Sequence, residues 1–354
     1  MKKHLLILFA AGVCLLGCKE NSMDVPEPAV LADSFSNENG SWTRLEDFVP
    51  EGDQDGYGFA IGNKGYLGSG GFDLSIFKEY NFETKQYTAK SQLPIDFVTD
   101  FVAFSIGSMG YIGAGTAQAG GGDLFARTDF LQYNPQTDTW SRKAILPESI
   151  TEAVGFSING KGYIGVGKLE TIIFNDESRP EYFYSPTKSL YEYSPESDCW
   201  VKKADFPGVS RVRAVAFAIG NKAYLGTGAA YLGTGLQDQT DGLKDFWEYD
   251  PSTNRWTRKA DFPGEGRLNA VGFSIGNKGY IGTGQSAVFG SRQKDVWEYE
   301  PLSNSWKRID DFPGGERTQM TYFSTGTKGY VAGGDGIGSL PGDLADFWEY
   351  DPTK

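Results

Sequence analysis

Trp247-Glu248-Tyr249-Asp250-Pro251, followed by Trp256, and Trp297-Glu298-Tyr299-Glu300-Pro301, followed by Trp306, are two copies of one phrase. The phrase returns at Trp348-Glu349-Tyr350-Asp351-Pro352, and the sequence stops before another Trp appears. The missing piece stands at the other end. Trp42-Thr43-Arg44-Leu45-Glu46-Asp47-Phe48 matches Trp256-Thr257-Arg258-Lys259-Ala260-Asp261-Phe262. The pattern predicts that residues 42–48 form the last strand of a unit whose other strands come from residues 317–350. Closing the ring this way removes two exposed aromatic faces from water.

Working outward, the unit recurs six times. Tyr66, Tyr111, Tyr163, Tyr224, Tyr280 and Tyr330 each follow a Phe by seven residues: Phe59, Phe104, Phe156, Phe217, Phe273 and Phe323. A glycine stands four residues after each Tyr, from Gly70 to Gly334. The spacing of 45 to 61 residues suits four short strands per unit. In Ala270-Val271-Gly272-Phe273-Ser274-Ile275 the first strand is apolar. Gly276-Asn277-Lys278 then supplies a tight hairpin, because Gly and Asn tolerate the left-handed backbone it needs. Such a sheet cannot stand alone, and radial stacking buries both its faces. The glycines after the second strand are read as permitting close approach near the ring's centre, since no helix follows that would make them an anion cradle.

The units resemble the Kelch repeat, with Tyr330-Val331-Ala332-Gly333-Gly334 intact and Gly-x-Gly, as at Gly226-Thr227-Gly228, elsewhere. The resemblance covers residues 42–354. It implies an all-β, six-bladed propeller of four-stranded antiparallel blades, closed by the N-terminal strand joining the C-terminal blade.

Residues 1–17 read as a lipoprotein signal peptide. Lys2 and Lys3 precede an apolar run of about twelve residues, too short for the roughly twenty of a membrane span. Leu15-Leu16-Gly17-Cys18 resembles a lipoprotein cleavage box, so Cys18 is the expected lipidation site. Residues 18–40 carry Pro, Ser, Asn and Glu without periodicity and read as a flexible tether, leaving residues 41–354 as the propeller. The expected location is the bacterial cell envelope, anchored to the membrane through the N-terminal lipid and facing the periplasm or the surface. Cys199 is expected to be a small buried side chain.

The net charge is -13, and loss of Lys2 and Lys3 with the signal leaves about -15. That acidity, with no basic run between aromatics, excludes nucleic acid as a partner. The single histidine, His4, lies in the signal. Ser-His-Asp and Cys-His catalysis therefore lack their base, and zinc lacks its common ligand. Kelch-like copper oxidases of the galactose oxidase type use histidine ligands, so that activity is excluded as well. No metal and no cofactor is expected. Asp123, Asp129, Asp238, Asp241, Asp343 and Asp346 fall in loops without EF-hand spacing and read as turn caps.

Strand polarity places the blade joins and the long second-to-third-strand loops on one rim, the expected functional face. Arg211, Arg267 and Arg317 stand six residues before a repeat Phe, and Asp53, Val98 and Ile150 take their places in the first three blades. Two readings of the arginines stand open. Either three guanidinium groups converge on the channel and grip a carboxylate, or each pairs locally with an acid such as Glu265 or Glu316 or with blade-linking carbonyls. Arg213 and Glu152 lie close by in the pattern. Tyr182, Phe183, Tyr184, Phe125, Tyr231 and Phe289 fall in rim loops outside the repeat. They either stack on sugar rings or pack the loops. The ligand-binding set is thus Arg211, Arg213, Arg267, Arg317, Tyr182, Tyr184 and Tyr231, and the expected partner is a glycan or an envelope protein. A second resemblance, to exported sialic-acid mutarotases with six Kelch-like blades and no metal, implies an alternative. Arg211, Arg267 and Arg317 would hold an acidic sugar's carboxylate, with Glu152 and Arg317 as the catalytic pair and Glu152 moving the proton.

Overall fold

The structure is a computed structural model that describes residues 40–48, 56–69, 76–95, 99–118, 124–174, 180–231, 242–286, 290–336 and 344–354. These residues form six antiparallel sheets arranged as blades, with no helix among them. Blade 4 shows the plan: Val215–Ile219, Lys222–Gly226, Phe246–Asp250 and Arg255–Arg258, paired in that order. Blade 6 takes Thr321–Ser324, Gly329–Ala332 and Phe347–Asp351 from the C-terminal end and Ser41–Arg44 from the N-terminal end. Trp42 lies opposite Tyr350 in that pairing, as the repeat pattern requires. The first strands touch their neighbours all the way round, and Thr321–Ser324 meets Gly56–Ile61 to complete the circle.

The Phe–Tyr spacing has a direct structural meaning. A seven-residue step across a tight hairpin puts each Phe opposite its Tyr, as Phe59 faces Tyr66 and Phe273 faces Tyr280. All six pairs stack, with ring centroids 5.1 to 6.2 Å apart. In five blades the tyrosine hydroxyl then donates to a carboxylate on the third strand, as Tyr66 to Glu79 at 2.8 Å, Tyr224 to Glu248 at 2.7 Å and Tyr280 to Glu298 at 2.9 Å, and in blade 2 the Tyr111 hydroxyl accepts from the Gln132 amide instead. This satisfies a polar atom that burial would otherwise penalise. The glycine before Tyr is forced by the neighbouring blade. A Cβ on Gly110 would meet the Phe59 ring at 2.2 Å.

Blades are tied at the outer edge by indole donors. Trp140, Trp200, Trp256 and Trp306 each donate Nε1 to a backbone carbonyl of the preceding blade, at 2.8 to 3.1 Å. Trp42 packs edge-on to Phe312 with centroids 5.0 Å apart, but its buried Nε1 has no acceptor among the described residues. The closing seam holds by strand pairing and ring packing rather than by that bond. Cys199 corrects the expectation of a buried thiol. It is exposed, because the outer strand Cys199–Lys202 turns Trp200 inward and alternation sends its neighbour out.

Candidate functional site at the channel mouth

The chain enters blades 2 to 6 through an unusual backbone step. Four residues before the repeat Phe stand Asp100, Glu152, Arg213, Asn269 and Gln319, all with left-handed φ between 52° and 62°. None is glycine, and among the five only Asp100 and Asn269 are of types that adopt this conformation with any frequency. Each step costs on the order of 1–3 kcal/mol, and such strain gathers at functional sites. The steps are wired together. Arg213 N donates to Glu152 O at 3.2 Å, Asn269 N to Arg213 O at 3.1 Å, and Gln319 N to Asn269 O at 3.4 Å. A hydrogen-bonded backbone arc thus runs from blade 3 to blade 6 around the mouth.

Inside the arc lies a cavity of about 180 Å³. Asp100, Asn269 and Gln319 give it polar groups, and Phe101, Met320 and Tyr322 are among its apolar walls. A few polar groups above apolar walls is the usual make-up of a small-ligand site. Burial pushes the Tyr322 hydroxyl up to about 12, so it stays a neutral donor.

Beside the cavity sits a charged cluster built by blades 3 and 4. The Glu152 side chain is only 3% exposed, and its Oε1 accepts from Lys168 Nζ at 2.9 Å and from Arg213 Nη2 at 3.2 Å. Its Oε2 is buried without a hydrogen-bond partner among the described residues. Lys168 lies 4.6 Å from the Tyr184 ring centroid, and Tyr184 donates its hydroxyl to Glu170 Oε1 at 2.9 Å. This cluster rides on an extended hairpin, Lys161–Phe174 against Pro180–Ser194, far longer than the five-residue strands of blade 4.

No family model matches the chain. Over 136 residues it is 41% identical to an N-acetylneuraminate epimerase of Yersinia enterocolitica, which covers 36% of this chain and 34% of that protein. Over 143 residues it is 25% identical to the Kelch-like protein terF of Aspergillus terreus, covering 40% and 29%. The solved structure of YjhT overlays with a TM-score of 0.69 at 16% identity, covering 86% of this chain and 95% of that one. The chain is a six-bladed propeller with partial similarity to Kelch-like proteins. The matched stretches span about a third of the length of the two curated relatives.

Of the two readings of the three repeat arginines, the structure favours local pairing over guanidinium groups converging on the channel. All three are buried. Arg211 donates to the carbonyls of Val209 and Thr227 and to Asp245 Oδ2 at 2.6 Å, with its guanidinium 4.7 Å from the Phe206 ring centroid. Arg267 forks onto both oxygens of Asp295 at 2.6 and 2.8 Å and also binds Thr283 O. Arg317 pairs with Asp346 at 2.6 Å, binds Gly333 O and lies over Phe312. The local acids are these third-strand aspartates rather than Glu265 or Glu316. Glu265 serves through its backbone carbonyl, which accepts from Arg267 Nε at 2.9 Å. Each aspartate also takes the indole proton of Trp247, Trp297 or Trp348. Burial raises the carboxyls of Asp245 and Asp295, but the arginine and tryptophan donors outweigh it and hold both below the ordinary value.

The carbonyls these arginines grip belong to a second left-handed series: Thr227 and Thr283 with φ of 59° and 55°, then Gly228 and Gly284. The Gly228 amide donates to Arg267 O at 2.7 Å, so the repeat glycine serves close approach between blades. A Cβ there would meet Val212 O at 2.8 Å.

Of the other expected residues, the structure brings Glu152, Arg213 and Tyr184 into one cluster. Tyr231 lies apart, partly buried against Val212, Ala229 and Leu268. Phe183 is half exposed, and Arg127 lies over Phe125. Ile150 is buried and pairs with Leu169. Asp129 and Asp346 are engaged by arginines, Asp129 by Arg127 and Arg142. The side chain of Tyr182 and residues Cys18, Asp53, Val98, Asp123, Asp238, Asp241, Phe289 and Asp343 lie outside the described part. Asp100, Lys168, Glu170, Asn269 and Gln319 escaped sequence reasoning. A common offset of four residues before Phe identifies Asp100, Asn269 and Gln319, but nothing in their mixed chemistry makes that column stand out.

Proposed function

We propose that this propeller is an exported binding protein that takes a glycan residue, best an acidic sugar, at the channel mouth. The observation that carries this reading is an apolar-walled cavity lined by Asp100, Asn269 and Gln319 of the strained arc, with Glu152 and Arg213 next in sequence to its lining residues Ala153 and Ala214. Amide side chains at Asn269 and Gln319 supply paired donors and acceptors for hydroxyls. Arg213 and Lys168 supply the cationic side for a sugar carboxylate. The partial similarity to an N-acetylneuraminate epimerase supports the choice of sugar class. Membrane attachment through Cys18 belongs to the same proposal and rests on the Leu-Leu-Gly-Cys box alone. No helix among the described residues is long and apolar enough to cross a membrane.

One observation favours a second reading, a cofactor-free mutarotase. Anomer exchange requires a proton to leave the anomeric hydroxyl and another to reach the ring oxygen. Glu152 Oε2, buried and unpartnered beside Arg213, is a carboxylate oxygen able to carry the first. Arg317, the other half of the expected catalytic pair, is held in its ion pair with Asp346.

Calorimetry against a glycan panel that includes N-acetylneuraminate tests the first reading. Asn269→Ala combined with Gln319→Ala is expected to weaken binding by about 1–3 kcal/mol through two lost hydrogen bonds. Wild-type affinity in that double variant rules out the mouth as the site. NMR exchange spectroscopy on a bound sugar tests the second reading. Acceleration that disappears in Glu152→Gln supports catalysis, and no acceleration in the wild type leaves binding alone.

A further inference from the structure

A second chamber, of about 240 Å³, lies along the axis beyond the mouth cavity, with Ser105, Ser157, Ser274 and Ser324 in its wall. Both chambers are bounded by Gly58, Ala103, Gly155, Ala216 and Tyr322. All five stand one residue before the repeat Phe, so they occupy one level of the ring. Blade 5 contributes Gly272 there. Five blades therefore place glycine or alanine at the waist, and blade 6 alone places an aromatic ring. An aromatic side chain presents roughly 150–250 Å² of surface, against almost nothing from glycine. Tyr322 is partly buried against the core shared by blades 5 and 6, which anchors the ring at this level.

We propose that Tyr322 is the partition of the channel and the floor of the mouth site, so that a ligand enters from one end only and stops after a single sugar residue. The partition is a property of the channel itself. The floor role rests on the reading of the mouth as a sugar site. The small residues of the other five blades would leave a through-channel, and one ring set among them converts it into two blind chambers. A ring face at the base of the mouth also offers an apolar surface on which the C–H face of a sugar can rest, below the hydrogen-bonding arc that orients its hydroxyls.

Tyr322→Ala gives blade 6 the residue that blades 2 and 4 carry, and Tyr322→Leu provides a second shortened side chain should the first fail to fold. Tyr322→Phe keeps the ring. Crystals of wild type and variants soaked in tetraethylene glycol report on the partition. Continuous density through the waist is expected in the Ala or Leu variant and not in wild type or Tyr322→Phe. A glycol chain threading the wild-type waist overturns the partition. Calorimetry with N-acetylneuraminate and its α2,8-linked trimer reports on the floor. Loss of about tenfold in monosaccharide affinity, equal to about 1.4 kcal/mol, is expected in Tyr322→Ala, with Tyr322→Phe within about twofold of wild type. Unchanged monosaccharide affinity in Tyr322→Ala overturns the floor role. A wild-type protein that binds neither sugar sinks the mouth reading, and the glycol soak then decides the partition by itself.

Discussion

Blades 4 to 6 and blades 2 to 3 solve the same geometric problem in different ways. Each must turn the chain at the channel mouth through a left-handed residue and then pair a short ribbon above it. Blades 4 to 6 do this with two-residue ribbons, such as Arg211–Val212 against Ala229–Ala230, and clamp each with a buried arginine, an aspartate and an aromatic ring. Blade 3 has no such clamp. Ile150 takes the arginine position, and the ribbon is absorbed into the long Lys161–Phe174 and Pro180–Ser194 hairpin, which also delivers Lys168 and Tyr184 beside Glu152. Blade 2 is lengthened in the same way, with Leu124–Ala126 paired to the end of Met109–Gln118. Half of the mouth locks its charges into ribbon clamps, and the other half gathers them into the Glu152, Lys168 and Arg213 cluster.

The largest expected effect separates the two halves directly. Arg267→Met leaves Asp295 buried without its fork and is expected to cost about 3–5 kcal/mol of stability in urea unfolding. Arg213→Met leaves the buried Glu152 still paired with Lys168, so a smaller loss of about 1–2 kcal/mol is expected. Equal losses would erase the distinction between clamp and site. On ligand binding the order reverses, with Arg213→Met the damaging change.

An acid titration sharpens the same contrast. Asp245 and Asp295 are held below the ordinary carboxylate value, so the unfolded chain binds protons more readily than the folded one. Their contribution is fully present above the unfolded pKa near 3.9 and is lost as pH falls through the lower folded values. Glu79 and Glu248, shifted down against burial by lysine and tyrosine donors, add to the same loss. The melting temperature is expected to hold from neutrality to about pH 4.5 and to fall below it. Arg267→Met frees the Asp295 carboxyl to rise under burial, so the variant, less stable at neutrality, is expected to lose less melting temperature than wild type below about pH 4.5. An acid decline as steep as that of wild type would show that the clamp does not set the Asp295 carboxyl.

The smallest effect concerns the arc. Gln319 has φ of 55°, where glycine carries no Cβ penalty. Gln319→Gly is expected to raise stability by up to about 1 kcal/mol while weakening sugar binding, read from paired melting and calorimetry curves. A destabilised glycine variant would mean that the Gln319 side chain holds the mouth together, as the arginines do in their own places.

The fold was legible because its signals are local and repeated. A Phe seven residues before a Tyr dictates a hairpin with the two rings opposed, and the stray Trp42 segment names its own partner. The site was legible only in part. Residues four and six positions before Phe share strand parity, so alternation cannot say which faces the channel. The structure separates them by a left-handed step at Arg213, between the ribbon Arg211–Val212 and the strand Val215–Ile219. That step falls on Asp, Glu, Arg, Asn and Gln, so no glycine announces it. The arginines' acidic partners, Asp245, Asp295 and Asp346, were missed because they lie 28 to 34 residues away in sequence, whereas Glu265 and Glu316 lie close by. Cys199 was misjudged for a simpler reason: its strand is the outermost of the blade, with one face bare.

Ser41–Arg44 is bonded along its length to Phe347–Asp351. A ribosome adding about 5–20 residues per second needs roughly 15–60 s to supply that partner after the first strand has emerged. Throughout that interval the earliest strand has no native neighbour, and a chain interrupted anywhere before residue 347 never acquires one. Closure of the ring therefore waits on synthesis of the 347–351 strand, and a protease that trims loose strands would spare chains that have passed it and clear those that have not.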